Sequence, residues 1–341
     1  MKHLVRILFL VACLLSYSCD DDLEQDNDAY TNFESLWSII DERYCFFEFK
    51  KDSILDWNQV HDIYLDSLAM CKTSGDVFYV FSSMLNQLKD GHVNLTSSFD
   101  HSHYDLQGEY DDNFISNVLF SSNYLGKDYH RAGGLYYKLL AKRNIGYIYY
   151  PSFSNAFSAS NLNSVLTYFK NTDGLIIDIR GNGGGYLSYV EPFASRFAKS
   201  RTLVGFFQHK TGKAHDAFST PKALYVEPSS NVNYQDKPVV LLTNREVFSS
   251  ANYFTQVMKA FDNVTVIGDV TGGGCGVPVG NELPCGWILR YSSSVYLDRD
   301  SVCTEWGIKP DVFVSLDKQK AYLDDVDTII EYACDFIKNK K

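Results

Sequence analysis

A short apolar run bounded by glycines constrains the fold more than any other feature of the sequence. Residues 175–179 are apolar except for Asp178 and lie between Gly174 and a glycine-rich segment at 181–185, a pattern typical of a buried parallel strand that ends in a sharp turn. The runs 145–150 and 238–242 are similar, and apolar residues at helical spacing follow the second. Strand, turn and helix in repeated succession predict an α/β core with parallel strands.

The segment that precedes this core has the periodicity of helices. Thr31 and Glu34 are spaced as in a capping box and predict a helix that begins at Thr31. A second apolar stripe runs from Val77 to Leu88, and we expect Gly91 to end its helix. The first stripe consists of apolar residues at helical spacing: Phe33, Leu36, Trp37, Ile40 and Tyr44. A further helix is predicted over residues 324–338, and all of these stripes are expected to face the core.

The N-terminus has the pattern of a targeting signal. Lys2 and Arg6 precede nine apolar residues at 7–15, which are too few to span a bilayer but suit the core of a signal peptide. Small residues then lead to Cys19, which resembles the acylated cysteine of a bacterial lipoprotein. The acidic run at 20–22 resembles a surface-export signal of such lipoproteins. Simple secretion, with Cys19 incidental, is the alternative.

Net charge and cysteine content exclude several classes of protein. A formal charge of −11 leaves no basic surface for general nucleic-acid binding. Eight cysteines in 341 residues are too few for a disulfide scaffold. Their spacing contains no CxxC and predicts no metal site. Cys275 and Cys285 either pair across a loop or remain free thiols.

Four segments carry residues suited to catalysis. The turn at 178–185 (Asp-Ile-Arg-Gly-Asn-Gly-Gly-Gly) can present backbone N–H groups to an anion, although it matches neither nucleotide-binding glycine motif. Ser249 follows a predicted strand, where a serine either exposes its hydroxyl or caps a helix. His92 lies just beyond a predicted helix, and Glu305 lies in a turn with glycine and proline. Each signal is weak when taken alone.

Together these segments resemble the tail-specific and tricorn-core serine peptidase family. The signature at 178–185 is the most specific match, and the segment 88–92 (Leu-Lys-Asp-Gly-His) is a second. Ser249, three positions before Asn252, occupies the place of the family's nucleophile, and 307–311 (Gly-Ile-Lys-Pro-Asp) matches a segment near the family's C-terminal end. The resemblance implies an α/β fold: a Clp-protease/crotonase-like αββ spiral core with an N-terminal helical subdomain.

The resemblance also implies a domain organisation. We expect a lipoprotein signal peptide at 1–18 and an acidic tether at 19–29. An N-terminal helical subdomain is expected at 30–95 and a peptidase core domain at 96–341. The interval between His92 and the strand that begins near residue 145 is too short for the PDZ module that is typical of tail-specific members.

The tricorn-like subgroup implies a catalytic set for this chain. Ser249 would be the nucleophile, His92 the general base and Glu305 the group that orients the imidazole. The Ser–Lys dyad of bacterial tail-specific members is absent, because no lysine lies between Lys259 and Lys309. We expect a ring nitrogen of His92 within about 3–4 Å of the Ser249 hydroxyl.

Backbone amides complete the implied site. Gly184 is the favoured donor to the oxyanion, with Gly183 and Ser250 as the other candidates. Ser250 is also the second candidate for the nucleophile. Two positions depart from the family pattern: Gly91 replaces a serine that assists the histidine, and Asn252 replaces an acidic residue.

The predicted function is hydrolysis of peptide bonds in an extended polypeptide, without a metal or organic cofactor. His209 and Lys210 are expected on the substrate side, and Lys210 or Lys213 as a relocated base is a minor alternative. The expected location is the cell envelope, as an outer-membrane lipoprotein with or without exposure at the cell surface, or otherwise the periplasm. The sequence specifies no oligomeric state. The alternative function is a catalytically silent ligand-binding or nutrient-capture surface lipoprotein on the same fold.

Overall fold

A computed structural model describes residues 28–105, 110 and 113–340. The predicted signal peptide, the acidic tether up to residue 27 and Cys19 lie outside the described residues and stay predictions. The helices have these bounds: α1 Ala29–Arg43, α2 Phe47–Lys50, α3 Trp57–Leu68, α4 Ser74–Asn86, α5 Ser116–Leu119, α6 Ala159–Tyr168, α7 Val190–Ala194, α8 Ser250–Lys259, α9 Lys318–Asp324 and α10 Thr328–Asn339. Within the described ranges, no helix is long and apolar enough to cross a membrane.

Both ends predicted for the N-terminal helices are wrong by a few residues. Helix α1 begins at Ala29, because the Asp28 side chain accepts from the Tyr30 N–H (3.3 Å) and so caps the helix before Thr31. Helix α4 ends at Asn86 rather than at Gly91. The chain then turns through Lys89, whose φ of 48° is incompatible with a continuing helix.

Parallel strands form the centre of a seven-stranded sheet, as the strand–turn–helix pattern predicts. The order across this sheet is β12-β9-β8-β5-β4-β3-β2. The strands from β12 to β4 pair in parallel, and β3 and β2 add antiparallel partners at one edge. Its strands are β2 His130–Ala132, β3 Leu135–Leu140, β4 Ile145–Tyr149, β5 Gly174–Asp178, β8 Val239–Thr243, β9 Val264–Gly268 and β12 Val312–Phe313. Helices cover both faces, so β4, β5, β8 and β9 are buried throughout.

A second sheet of five antiparallel strands joins the N-terminal helices to the rest of the chain. Its order is β1-β11-β6-β7, and β10 also pairs with β11. Its strands are β1 Asn94–Thr96, β6 Thr202–His209, β7 Lys222–Val226, β10 Gly276–Glu282 and β11 Ile288–Leu297. Phe33 of α1 and Phe81 of α4 share one buried cluster with Leu289 and Tyr291 of β11. The helical segment therefore rests on the sheet that begins directly after His92.

A buried ion-pair network holds the glycine turn after β5. The Arg180 guanidinium is fully buried and donates to both carboxylate oxygens of Asp178 (2.9 and 2.6 Å) and to Asp327 (3.3 Å). The Tyr147 hydroxyl donates to the same Asp178 (2.8 Å). Burial lowers the pKa of Arg180, but the two carboxylates raise it by more, so the guanidinium stays charged. These bonds fix the path of residues 178–181.

The cysteines do not pair as the sequence allowed. Cys275 and Cys285 are both free thiols. The Cys275 sulfur instead faces Cys303, with 3.4 Å between the two Sγ atoms. Among the described residues, no group of three or more His, Cys, Asp or Glu side chains is arranged to hold a metal ion.

Candidate active site

Ser249 and His92 meet in a hydrogen bond although 157 positions separate them in the chain. The Nε2 atom of His92 lies 2.9 Å from Oγ of Ser249. His92 comes from the loop between α4 and β1, and Ser249 stands between β8 and α8. The imidazole is buried (3% exposed) and also lies against the Phe248 ring, with 4.7 Å between the ring centroids. The separation is within the range needed for proton transfer from a hydroxyl to an imidazole.

The backbone of Ser249 has a conformation that few residues other than glycine adopt. Its φ of 58° and ψ of −124° lie outside the helical and extended regions. Its N–H donates to the Gly273 carbonyl (2.9 Å), which helps to hold this strained turn. The side chain makes no capping bond to α8, so the alternative role of a helix cap is not realised. The strained turn presents the hydroxyl to His92.

The glycine turn packs directly against Ser249. A Cβ atom on Gly184 would lie 2.8 Å from the Ser249 Cβ atom and 2.8 Å from the Phe248 carbonyl oxygen. The Gly184 N–H already donates to Oδ1 of Asn182 (3.0 Å), which argues against the favoured oxyanion donor of the sequence analysis. Within the described chain, the N–H groups of Gly183 and Ser250 donate no hydrogen bond. These two amides are the better candidates.

Glu305 does not orient His92, contrary to the sequence expectation. One of its carboxylate oxygens accepts from the Lys50 ammonium (3.0 Å), and the other accepts from the Cys275 N–H (3.1 Å). The Nδ1 atom of His92 is buried and has no hydrogen-bond partner among the described residues. The physical reason is that a cationic ammonium competes for the carboxylate, and Gly91 carries no hydroxyl that could bridge Glu305 to the imidazole.

Asp90, rather than Glu305, is the carboxylate that binds the backbone of His92 and affects the pKa of its imidazole. Its Oδ1 atom accepts the His92 backbone N–H (2.7 Å), and its Oδ2 atom accepts from the Tyr44 hydroxyl (2.8 Å). Burial lowers the pKa of His92 to about 4, and the negative charge of Asp90 offsets part of this effect. The imidazole is therefore neutral at pH 7 and free to accept a proton.

The sequence analysis also singled out Ser250 and Asn252. Ser250 is buried, and its hydroxyl has no partner among the described residues; no contact joins it to His92. Asn252 is buried as well: its amide donates to the Thr304 carbonyl (3.4 Å) and accepts from the Thr271 hydroxyl (2.6 Å). An aspartate could not make the first of these bonds, so Asn252 suits the loop that leads to Glu305.

His209 and Lys210 are not part of this constellation. Lys210 donates to the Ala214 carbonyl and lines a separate cavity, and His209 is an exposed residue at the end of β6. Lys213 pairs with Glu42 on the surface. Among the described residues, none of these three side chains contacts Ser249 or His92. The expectation that His209 and Lys210 line the substrate side is not supported, nor is a relocated lysine base.

Sequence reasoning missed Lys50, and it gave Asp90 and Tyr44 no role. Asp90 stands inside the segment 88–92 that drew attention to His92, so its proximity was a usable signal. Lys50 follows the aromatic run Tyr44–Phe49 and is fully buried, which no local pattern indicates. Its partner Glu305 is 255 positions away.

A cavity of about 290 Å³ opens beside the two reactive groups. Its lining includes Gly91, Gly183 and Phe248, each of which neighbours a residue of the candidate site. Arg245 and Glu246 contribute charged groups to the same lining. Ser249 and His92 are not among its lining residues, so the cavity adjoins the site through their neighbours Phe248 and Gly91.

Comparison with known proteins finds peptidases that match most of the described chain. The sequence profile of peptidase family S41 matches residues 144–314, and that of the tricorn protease C1 domain matches residues 26–86. The crystal structure of a candidate peptidase from Parabacteroides merdae superposes with a TM-score of 0.84 at 42% identity, covering 91% of this chain and 96% of that one. These matches include both the helical segment and the core.

Curated relatives share only part of their length with this chain. The carboxy-terminal processing protease CtpA of Bacillus subtilis is 27% identical over 186 residues, which are 53% of this chain and 37% of CtpA. The tricorn protease of Thermoplasma volcanium is 25% identical over 199 residues, which are 57% of this chain and 17% of that protein. The family profile nevertheless spans half of the chain, and the Parabacteroides merdae structure nearly all of it. The chain therefore belongs to peptidase family S41, a family of serine peptidases, and has its Clp-protease/crotonase-like fold.

Proposed function

We propose that this protein is a serine endopeptidase that cleaves extended polypeptides through an acyl-enzyme. The single observation that carries the proposal is the 2.9 Å contact between Nε2 of His92 and Oγ of Ser249. A neutral, buried imidazole next to a serine on a strained turn is the arrangement that nucleophilic catalysis requires. The cavity beside Gly183 and Phe248 provides space for the substrate chain.

The reaction follows from these groups. Ser249 attacks the peptide carbonyl while His92 takes the hydroxyl proton on Nε2, and the imidazolium then gives that proton to the leaving amine. A water molecule, deprotonated by His92, then attacks the ester; the bond between the carbonyl carbon and Ser249 Oγ breaks, and the imidazolium returns the proton to Oγ. The oxyanion of each tetrahedral intermediate is held by the N–H groups of Gly183 and Ser250. The charge of Asp90 stabilises the imidazolium, in place of the direct contact expected from Glu305.

A fluorophosphonate probe tests the proposal, because it forms a covalent bond only with an activated serine. We expect labelling of the wild type and of Ser250→Ala, and loss of labelling in Ser249→Ala and His92→Ala. Groups that act as a unit lose on the order of 10⁴–10⁶ in turnover when either is removed. Ser250→Ala is the matched control, since it removes a neighbouring hydroxyl that does not contact His92. An unlabelled wild type, or labelling that survives in Ser249→Ala, would refute the assignment.

A catalytically silent binding protein is the second candidate function. The unpartnered Nδ1 atom of His92 and the engagement of Glu305 by Lys50 favour it, because serine peptidases normally orient the second ring nitrogen. The same experiment separates the two functions. Absence of labelling in a folded wild type, together with binding of a peptide in the cavity next to Gly183, would support the silent protein.

We also propose that Cys19 anchors the protein to the cell envelope through a lipid. The support is the sequence pattern alone: a basic start, an apolar run at 7–15 and small residues before Cys19. Metabolic labelling with a radioactive fatty acid should mark the wild type and not Cys19→Ser. An unlabelled wild type in a host that processes lipoproteins would contradict the anchor.

A further inference from the structure

We infer that Lys50 is a positioning residue for His92: its ammonium ties the loop that carries the general base to Glu305. This inference rests on the proposed function, since it assigns a role within the same site. Lys50 is the last residue of α2 and comes from the N-terminal helices, far in sequence from both Ser249 and Glu305.

The ammonium of Lys50 uses all of its hydrogen-bonding capacity. It donates to the Leu88 carbonyl (3.1 Å), the Lys89 carbonyl (3.1 Å) and Oε1 of Glu305 (3.0 Å). An ammonium group has three N–H donors, so no donor remains for another partner. Lys50 is completely buried, so bulk water does not compete for these three N–H donors. The three bonds therefore connect Lys50 to the loop that carries His92 and to Glu305.

Two of these bonds define the route of the chain into His92. Lys89 has a φ of 48°, a conformation that a residue with a side chain keeps only when its surroundings hold it. The Lys50 ammonium binds the carbonyl of this residue and the one before it. Asp90 follows directly and accepts the backbone N–H of His92. Loss of Lys50 would therefore release the turn that sets the position of the imidazole relative to Ser249.

The bond between Lys50 and Glu305 also balances the negative charges of the site. Lys50 lies 3.0 Å from Glu305 and 3.8 Å from Asp90, so one ammonium serves two buried carboxylates. Burial lowers the pKa of Lys50, but Glu305 and Asp90 raise it by more, and the group stays protonated. The Trp306 ring faces the ammonium at 4.7 Å from its centroid and adds further stabilisation. Other titratable or charged groups act on this cluster: Tyr44, Cys45, His92, Cys275, Cys303 and Arg290.

The adjacent Lys51 supplies a matched control. It is 65% exposed and pairs at 3.7 Å with Glu48, which is 54% exposed. Replacing Lys51 with methionine changes the net charge by the same amount as replacing Lys50, at the neighbouring position of the chain. Only Lys50 touches the His92 loop.

The test compares Lys50→Met, Lys50→Gln and Lys51→Met in the complete protein. We expect Lys50→Met to lower kcat and the rate of fluorophosphonate labelling about 10²-fold, the effect of moving a reactive group by about 1 Å, with KM changed less than about threefold. Lys51→Met should match the wild type. The glutamine variant is uncharged, and its amide nitrogen lies one atom nearer to the backbone than the lysine Nζ, so it cannot reproduce the three bonds and should also be labelled more slowly than the wild type. Because it keeps polar N–H groups in the buried site, it provides the comparison where the methionine variant does not fold.

A second readout is independent of activity. In the Ser249→Ala background, the imidazole resonances of His92 in histidine-labelled protein should shift in Lys50→Met or Lys50→Gln and stay unchanged in Lys51→Met. Wild-type labelling rates and unchanged His92 resonances in a folded Lys50 variant would overturn the inference. If the wild type is not labelled at all, the proposed function fails, and the resonances of His92 still decide the role of Lys50.

Discussion

Removal of the buried Arg180 guanidinium should destabilise the fold strongly, and the structure indicates how much. In Arg180→Met, Asp178 loses two charge-assisted hydrogen bonds of 2.9 and 2.6 Å and keeps the Tyr147 hydroxyl and the residue-180 backbone N–H as donors. Asp327 loses one bond and keeps two backbone N–H groups of α10. Two buried carboxylates are left without their countercharge, and breaking a buried ion pair costs about 3–5 kcal/mol.

Urea unfolding, followed by tryptophan fluorescence, measures this cost as a shift of the midpoint. Arg201→Met is the matched control, because Arg201 pairs with Glu227 at 2.8 Å but both side chains are about 60% exposed. An exposed pair contributes about 1 kcal/mol or less, so the control should unfold close to the wild type.

A double variant separates lost charge balance from lost packing. Arg180→Met combined with Asp178→Asn removes one of the two unpaired charges and keeps an acceptor for the Tyr147 hydroxyl, so it should be more stable than Arg180→Met alone. The reasoning is refuted if Arg180→Met costs less than about 1 kcal/mol, or if the double variant is less stable than the single one.

Two further predictions concern activity. The acid limb of kcat/KM should lie near pH 4 rather than near the usual histidine value, because burial lowers the pKa of His92 to about 4 and only the neutral imidazole accepts a proton. Gly184→Ala should slow fluorophosphonate labelling at least about 10²-fold, because its Cβ would lie 2.8 Å from that of Ser249 and its φ is +100°. Gly280→Ala in β10, outside the site, should label as the wild type does, since the added atom would meet nothing closer than 3.9 Å; equal rates in the two alanine variants would contradict this view of the turn.

Much of the fold follows from local patterns in the sequence. The strands at 145–149, 174–178 and 239–243 are apolar because helices cover both faces of their sheet, and such runs are visible without an alignment. Helix ends were less accurate, since a cap at Asp28 and a left-handed Lys89 depend on single side-chain and backbone geometries.

The candidate site was predictable only in part. Ser249 and His92 lie at junctions between elements, where a short motif marks them. The partner of Glu305 was not predictable, because it depends on which of two distant groups reaches the carboxylate. A buried ammonium from α2 wins this competition over a neutral imidazole, and nothing in the spacing of Lys50 indicates that it is buried.

The site is assembled from segments made at different times during synthesis. Lys50 and His92 leave the ribosome early, whereas Ser249 and Glu305 follow after roughly 150–250 further residues, a delay of about 10–50 s at 5–20 residues per second. The early segment, with Lys50 and His92, can form neither the Ser249–His92 contact nor the Lys50–Glu305 bond until the later segment has been made. A nascent chain that ends before Ser249 has no Ser249–His92 contact, so any reaction at this site waits until both segments have been made.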